Sequence, residues 1–103
     1  MARIIINLRV ERDLKEIYDY ISDHSDEDST ASVLRRIAES LQLQAEYPHG
    51  GRRHDDLYIE LRSITVRPYI VFYFPLDDGL EVIRVLHGRR NIKAAFNEES
   101  EED

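Results

Sequence analysis

Hydrophobic and polar positions along the chain follow two different periods. The opening segment Arg3-Ile-Ile-Ile-Asn-Leu8 is short and β-branched, which predicts a strand. Val10, Leu14, Ile17, Tyr18 and Ile21 then recur at helical spacing with charged residues between them. That pattern predicts an amphipathic helix of about four turns whose stripe, Tyr18 included, faces the core. His24 to Ser29 interrupts the pattern with polar turn residues and offers Asp28 or Ser29 as an N-cap for a second helix. Leu34, Ile37, Ala38, Leu41 and Ala45 form the stripe of that helix. Tyr47-Pro-His-Gly-Gly51 ends it, because proline cannot continue the ladder and the glycines allow the chain to reverse. Two amphipathic helices on a short link form an antiparallel pair.

Downstream the period changes to two. Leu57, Ile59 and Leu61 alternate with Tyr58, Glu60 and Arg62, which predicts a half-buried strand. Tyr69 to Phe74 is apolar at every position, as a central strand would be. Asp77-Asp-Gly79 predicts a tight hairpin turn in which Gly79 supplies a positive φ. Leu80 to Leu86 forms the last strand, with Ile83 and Val85 on one face and Val82, Arg84 and Leu86 on the other. Asn91 can cap a short final helix carrying Ile92 and Phe96. The order β-α-α-β-β-β, with a short C-terminal helix, describes an α+β domain: a helical hairpin on an antiparallel sheet. No internal repeat divides it, so residues 1–97 are read as one domain.

Charge adds an asymmetry to this picture. The formal net charge is −7, but Glu98, Glu99, Glu101, Glu102 and Asp103 account for five of those charges. Residues 1–48 carry ten acids and six bases, whereas residues 49–97 carry six acids and eight bases. A mildly basic C-terminal half therefore precedes an acidic stretch, 98–103, that reads as a solvated, disordered tail. The same stretch could instead lie on Arg89, Arg90 and Lys93. The overall balance argues against a generic or sequence-specific nucleic-acid binder, which needs a basic footprint. With no cysteine, a disulfide framework and thiolate metal clusters are excluded. No apolar run approaches the roughly 18 residues of a membrane span, and the first ten residues are too short and too charged for a signal peptide. A soluble, cytoplasmic protein is expected.

Candidate chemistry is sparse. No spaced histidine pair and no acidic cluster on an ordered element suggests a metal, and no glycine-rich phosphate loop suggests a nucleotide cofactor. His49 and His54 fall in a loop, where solvation is expected. His87 is the one histidine placed to move protons near neutrality, although a structural role at a strand end competes with it. Arg62 and Arg84 fall at outward strand positions, Arg67 precedes the central strand, and Arg89, Arg90 and Lys93 cluster after the last strand. Arginine forks suit carboxylates and phosphates, but they cannot release a proton and so serve poorly as bases. Tyr58, Tyr69 and Tyr73 are candidates for an aromatic partner groove, and the sequence does not decide which of them is exposed.

The phrases Asp13-Leu-Lys-Glu-Ile-Tyr18, Pro48-His-Gly-Gly-Arg52, Glu60-Leu-Arg-Ser63, Pro68-Tyr-Ile-Val-Phe-Tyr73 and Arg84-Val-Leu-His-Gly-Arg-Arg-Asn91, in this order, resemble the RelE/ParE toxin superfamily, most closely its ParE branch. The resemblance spans about residues 4 to 96. It implies the toxin of a type II toxin–antitoxin pair, neutralised by a ParD-like antitoxin with a ribbon-helix-helix part. ParE-like toxins act on DNA gyrase and are not catalysts, whereas RelE-like members cleave mRNA on the ribosome. A nuclease would draw on Arg62, Arg67, Arg84, His87 and Arg90, and the family's C-terminal tyrosine falls on Phe96, which has no hydroxyl to give. Contacts to gyrase or antitoxin are instead expected from Arg84, His87, Arg89, Arg90, Lys93, Phe96, Tyr58 and Tyr73. The resemblance thus favours a gyrase inhibitor, with an mRNA interferase, or a relic that only binds antitoxin and regulates its operon, as the rival readings.

Overall fold

The computed structural model describes residues 2–24 and 27–101. Strand β1 (Arg3–Ile6) leads into helix α1 (Leu8–His24), and α2 (Glu27–Ala45) follows. A single 3-10 turn at Pro48–Gly50 precedes the two-residue strand β2 (Arg52–Arg53), then β3 (Arg62–Val66), β4 (Tyr69–Leu76), β5 (Gly79–His87) and helix α3 (Ile92–Glu101). The five strands lie in the order β1-β5-β4-β3-β2. All neighbours are antiparallel except β1, which pairs parallel to β5 from Arg3↔Gly79 to Ile6↔Val82. The sheet is therefore mixed, with the apolar run of β4 at its centre as expected.

Three layers result. On one face Val10, Ile17 and Ile21 of α1 and Ile37, Leu41 and Ala45 of α2 pack on Val66, Tyr69, Val71, Tyr73, Leu80, Val82 and Val85. On the other face Ala95 and Phe96 of α3 pack on Leu61, Phe72 and Leu86. Burying β4 on both faces explains why its sequence shows no alternation. Tyr18 departs from the expected stripe and is 48% exposed. In α2, Ala38 faces solvent while Val33 packs on the core, so the buried stripe is rotated slightly from the one expected.

Three local expectations are corrected. Residues 54–61 form a stitched turn rather than a strand: the His54 N–H donates to the Leu61 carbonyl (2.8 Å) and the Leu61 N–H to that of Tyr58 (3.1 Å). Leu61 is buried but Ile59 is 80% exposed, so the apparent alternation is a turn that tucks in only its ends. Gly79 opens β5 rather than forming the turn, which is Asp77-Asp78. It must be glycine because a Cβ there would overlap the Arg3 carbonyl of β1. Helix α2 starts at Glu27, so Asp28 and Ser29 stand inside its first turn, and the residues immediately before lie outside the described ones. Of the acidic stretch 98–103, residues 98–101 fall within the bounds of helix α3, and Glu102 and Asp103 lie outside the described residues.

Candidate functional site

One end of the sheet gathers the chain's chemistry. The two-residue turn Arg67-Pro68 links β3 to β4, and β5 ends in register there, with His87 opposite Tyr69. The Gly88 N–H donates to the Pro68 carbonyl at 2.9 Å, tying the β5–α3 connection to that turn. A Cβ on Gly88 would come within 3.3 Å of the same oxygen, so this approach favours glycine. The Asn91 side-chain oxygen then accepts the Ala94 N–H (3.0 Å), the expected cap of α3. Arg67, Arg89, Arg90 and Lys93 are all exposed. The Arg36 guanidinium of α2 donates to the Arg67 carbonyl and adds a further cation to this end. Clustered cations reinforce one another's potential over about 10 Å despite the negative total.

Between α1 and the ends of β4 and β5 runs a groove of about 380 Å³, lined by Glu16, Ile17, Tyr20, Tyr69, His87 and Arg90 among others. The Tyr69 and His87 rings meet edge to face with centroids 5.6 Å apart. Burial, and secondarily Tyr20, push the Tyr69 hydroxyl above its ordinary pKa, so it stays neutral at physiological pH. The Arg89 N–H donates to His87 Nδ1 at 3.1 Å. A backbone amide can only donate, so Nδ1 is the acceptor and the neutral ring carries its proton on Nε2.

Several expected site residues are elsewhere. Arg84 is not outward: it is 0% exposed, with Nε on Asp13 Oδ2 (2.9 Å) and Nη2 on Asp13 Oδ1 (3.1 Å). Arg84 shares the face of its cross-strand partner Phe72, and α3 covers that face; a neighbouring β-bulge reassigns Val82 and Ile83 instead. Phe72 pairs with Arg84 but Tyr73 pairs with Val82, so Ile83 is an extra residue and the faces switch across it. Ile83 consequently packs toward α3, while Val85 joins the helical-hairpin face and His87 lines its groove. Arg84 also donates through Nη1 to the Ala95 carbonyl (3.2 Å), joining α1, β5 and α3. Phe96 is buried with its ring 5.1 Å from that of Phe72, so it offers no stacking platform. Tyr73 is buried too: its hydroxyl donates to the Pro48 carbonyl (2.8 Å) and accepts the Gly51 N–H (3.0 Å). Arg62 donates to the His49 and Gly51 carbonyls (2.8 and 3.0 Å), five residues along the sheet from Arg67, or about 17 Å. Only Tyr58, 43% exposed and tilted against Phe96, keeps the accessibility expected of an aromatic contact. His54 is half-buried and shares a 2.7 Å hydrogen bond with Ser63 rather than sitting free in a loop.

The residue that the sequence pattern passes over is Asp13. It is 2% exposed and accepts four donors, from Arg9 Nη1 (2.9 Å), Arg84 Nε and Nη2, and the Val85 N–H (3.0 Å). Strand β1 covers the edge of β5 only as far as Val82, and the Asp13 carboxylate satisfies the next free amide on that edge. The signal was available: position 13 lies three residues after Val10 and four before Ile17, on the buried stripe. A carboxylate there requires a buried cation.

These features of fold and motif coincide with one family. The sequence model described as "ParE toxin of type II toxin-antitoxin system, parDE" matches residues 4–92. The chain belongs to the ParE toxin family. It is 26% identical to Toxin ParE3 of Caulobacter vibrioides over 97% of this chain and 100% of the relative. It is 34% identical to Toxin RelE2 of the same organism, covering 87% of this chain and 99% of the relative. Toxin ParE1 of Mycobacterium tuberculosis is 26% identical over 88% of this chain and 94% of its own length. Among solved structures, a chain titled "Chromosomal ParDE TA system from P. aeruginosa" superposes with TM-score 0.70 at 15% identity, covering 84% of this chain and 96% of that one. This agreement confirms the α+β architecture of the family.

Proposed function

We propose that this ParE-family toxin acts by binding DNA gyrase rather than by cleaving RNA, works in the cytoplasm, and is neutralised by a ParD-like ribbon-helix-helix antitoxin. The observation that carries the reading is the dispersal of the groups a ribonuclease would need. Attack by a 2′-oxygen requires a proton acceptor, cations on the charged phosphate and an acid for the leaving group. Arg84 is consumed by Asp13, Arg62 is bound to loop carbonyls about 17 Å from Arg67, and Phe96 is buried and lacks a hydroxyl. His87 accepts the Arg89 N–H through Nδ1. The exposed cations Arg67, Arg89 and Lys93 beside an aromatic groove suit the carboxylates of a protein partner, which arginine binds two bonds at a time.

A second reading is favoured by two observations. Arg67, His87, Arg90 and Tyr69 do share one end of the sheet, and one relative carries the name Toxin RelE2. Inducing the chain alone in a bacterial host separates the readings. Growth arrest with an SOS response, and inhibition of purified gyrase in a supercoiling assay, are the expected outcomes. Rapid loss of mRNA with supercoiling unchanged would overturn the gyrase reading. Arg67→Ala or Arg90→Ala would then abolish cleavage with the fold intact. Absence of growth arrest would point to a relic that only binds antitoxin.

A further inference from the structure

The two edges of the sheet are treated very differently by the sequence. The β2 edge is two residues long, both of them exposed arginines, a charged and truncated edge of the kind that resists pairing. The β1 edge is twice as long and carries far less of that protection. Its residues Ile4-Ile5-Ile6 are uncharged and β-branched, and the only charge in the strand, Arg3, is turned to Asp78 at 3.2 Å. Ile5, Ile6 and the following Leu8 are 37%, 44% and 78% exposed, a contiguous apolar margin.

The outer side of β1 also offers hydrogen bonds. Arg3 and Asn7 donate their amides to the Asp78 and Val82 carbonyls of β5 at 2.7 and 3.0 Å. By alternation, Arg3, Ile5 and Asn7 direct their backbone groups to β5, and Ile4 and Ile6 direct theirs away from it.

We propose that the free toxin associates with a second copy of itself through β1, the two strands pairing antiparallel about a twofold axis at Ile5. In that register Ile4 faces the partner's Ile6, and Ile6 its Ile4, with four backbone hydrogen bonds between them. Ile5 meets its own copy as a non-hydrogen-bonded pair, with Cα atoms about 4.5 Å apart. Arg3 faces Asn7, so no like charges stand opposite one another. This self-complementarity is what favours a second copy over another occupant, and a ten-stranded sheet results. The contact is small, so the dimer is of the weak, reversible class. The chains carry −7 each, so added salt tightens it by screening their repulsion.

The test uses the purified toxin and needs neither gyrase nor antitoxin, so its outcome is separate from the reading of the toxin's target. Sedimentation velocity from about 10 to 500 µM should show monomer converting to dimer, the association constant rising several-fold with salt. Ile5→Lys places two cations at the axis, and Ile6→Pro removes an outward amide without touching the β5 ladder. Both should remain monomeric at the highest concentration with an unchanged far-UV spectrum. The chain has no cysteine, so Ile5→Cys reports directly. A Cα separation near 4.5 Å falls within disulfide reach, and mild oxidation should cross-link it at least about tenfold faster than the exposed control Leu43→Cys. A monomer at every concentration overturns the proposal, as does a dimer that survives both Ile5→Lys and Ile6→Pro or cross-linking no faster than the control.

Discussion

Replacing Asp13 by alanine removes the acceptor at the junction of α1, β5 and α3. In the native fold its two carboxylate oxygens take four donors, and its partner Arg84 is fully buried. Deleting the carboxylate strips Arg84 of its counter-charge inside the protein and leaves the Val85 amide at an uncovered strand edge. Breaking a buried pair on one side costs about 3–5 kcal/mol, because the remaining charge is uncompensated. A domain of this size is stable by only about 5–15 kcal/mol, so Asp13→Ala should lose a large fraction of its stability. Urea unfolding followed by far-UV circular dichroism measures the change. The companion Arg84→Met should also destabilise, but the double variant Asp13→Leu/Arg84→Met should cost much less than the sum. Well-packed apolar groups replace a buried pair at little net cost. If Asp13→Ala lies within about 1 kcal/mol of the parent, or the two changes simply add, the buried pair is not what fixes α1 to β5.

Three further outcomes follow from single residues. Burial raises the Tyr73 hydroxyl above its usual pKa, outweighing the opposing hydrogen bond from Gly51, so the folded state holds its proton more tightly than the unfolded chain. Stability from this group is therefore complete below pH 10 and declines as pH rises above it, and Tyr73→Phe should flatten that alkaline limb while losing the Pro48 and Gly51 bonds. Burial, and then Arg52, lower the His54 pKa against the opposing pull of Asp56. The unfolded chain then binds the proton first, so stability falls as pH drops below 6.5 through the lowered value, and an NMR titration should place the His54 midpoint below 6.5. Glu60 sits at φ 73°, a region costing a side-chain-bearing residue about 1 kcal/mol, so Glu60→Gly should leave stability unchanged or raise it, as read by thermal melting.

The sequence alone determined much of this protein. Periodicity located both helices of the hairpin, the central strand at Tyr69–Phe74, the last strand and the Asn91 cap, because each is specified by neighbours a few residues apart. Ordered motifs identified the superfamily for the same local reason. What failed needed contacts between distant residues. Alternation at Leu57–Leu61 resembled a strand, yet a strand needs a partner ladder, and the hydrogen bonds of that segment close on themselves as a turn. Arg84 was assigned outward because nothing local shows that α3 covers that face, while Val82 and Ile83 exchange their expected faces at a single bulge. The place of Arg84 inside depends on Asp13, 71 residues earlier. The C-terminal aromatic at position 96 was legible as a residue type, but its burial against Phe72 was not. Tertiary structure alone decided which cations face solvent and which hold the fold together. Charge state is written in the side chain, whereas exposure depends on what the rest of the chain lays over it.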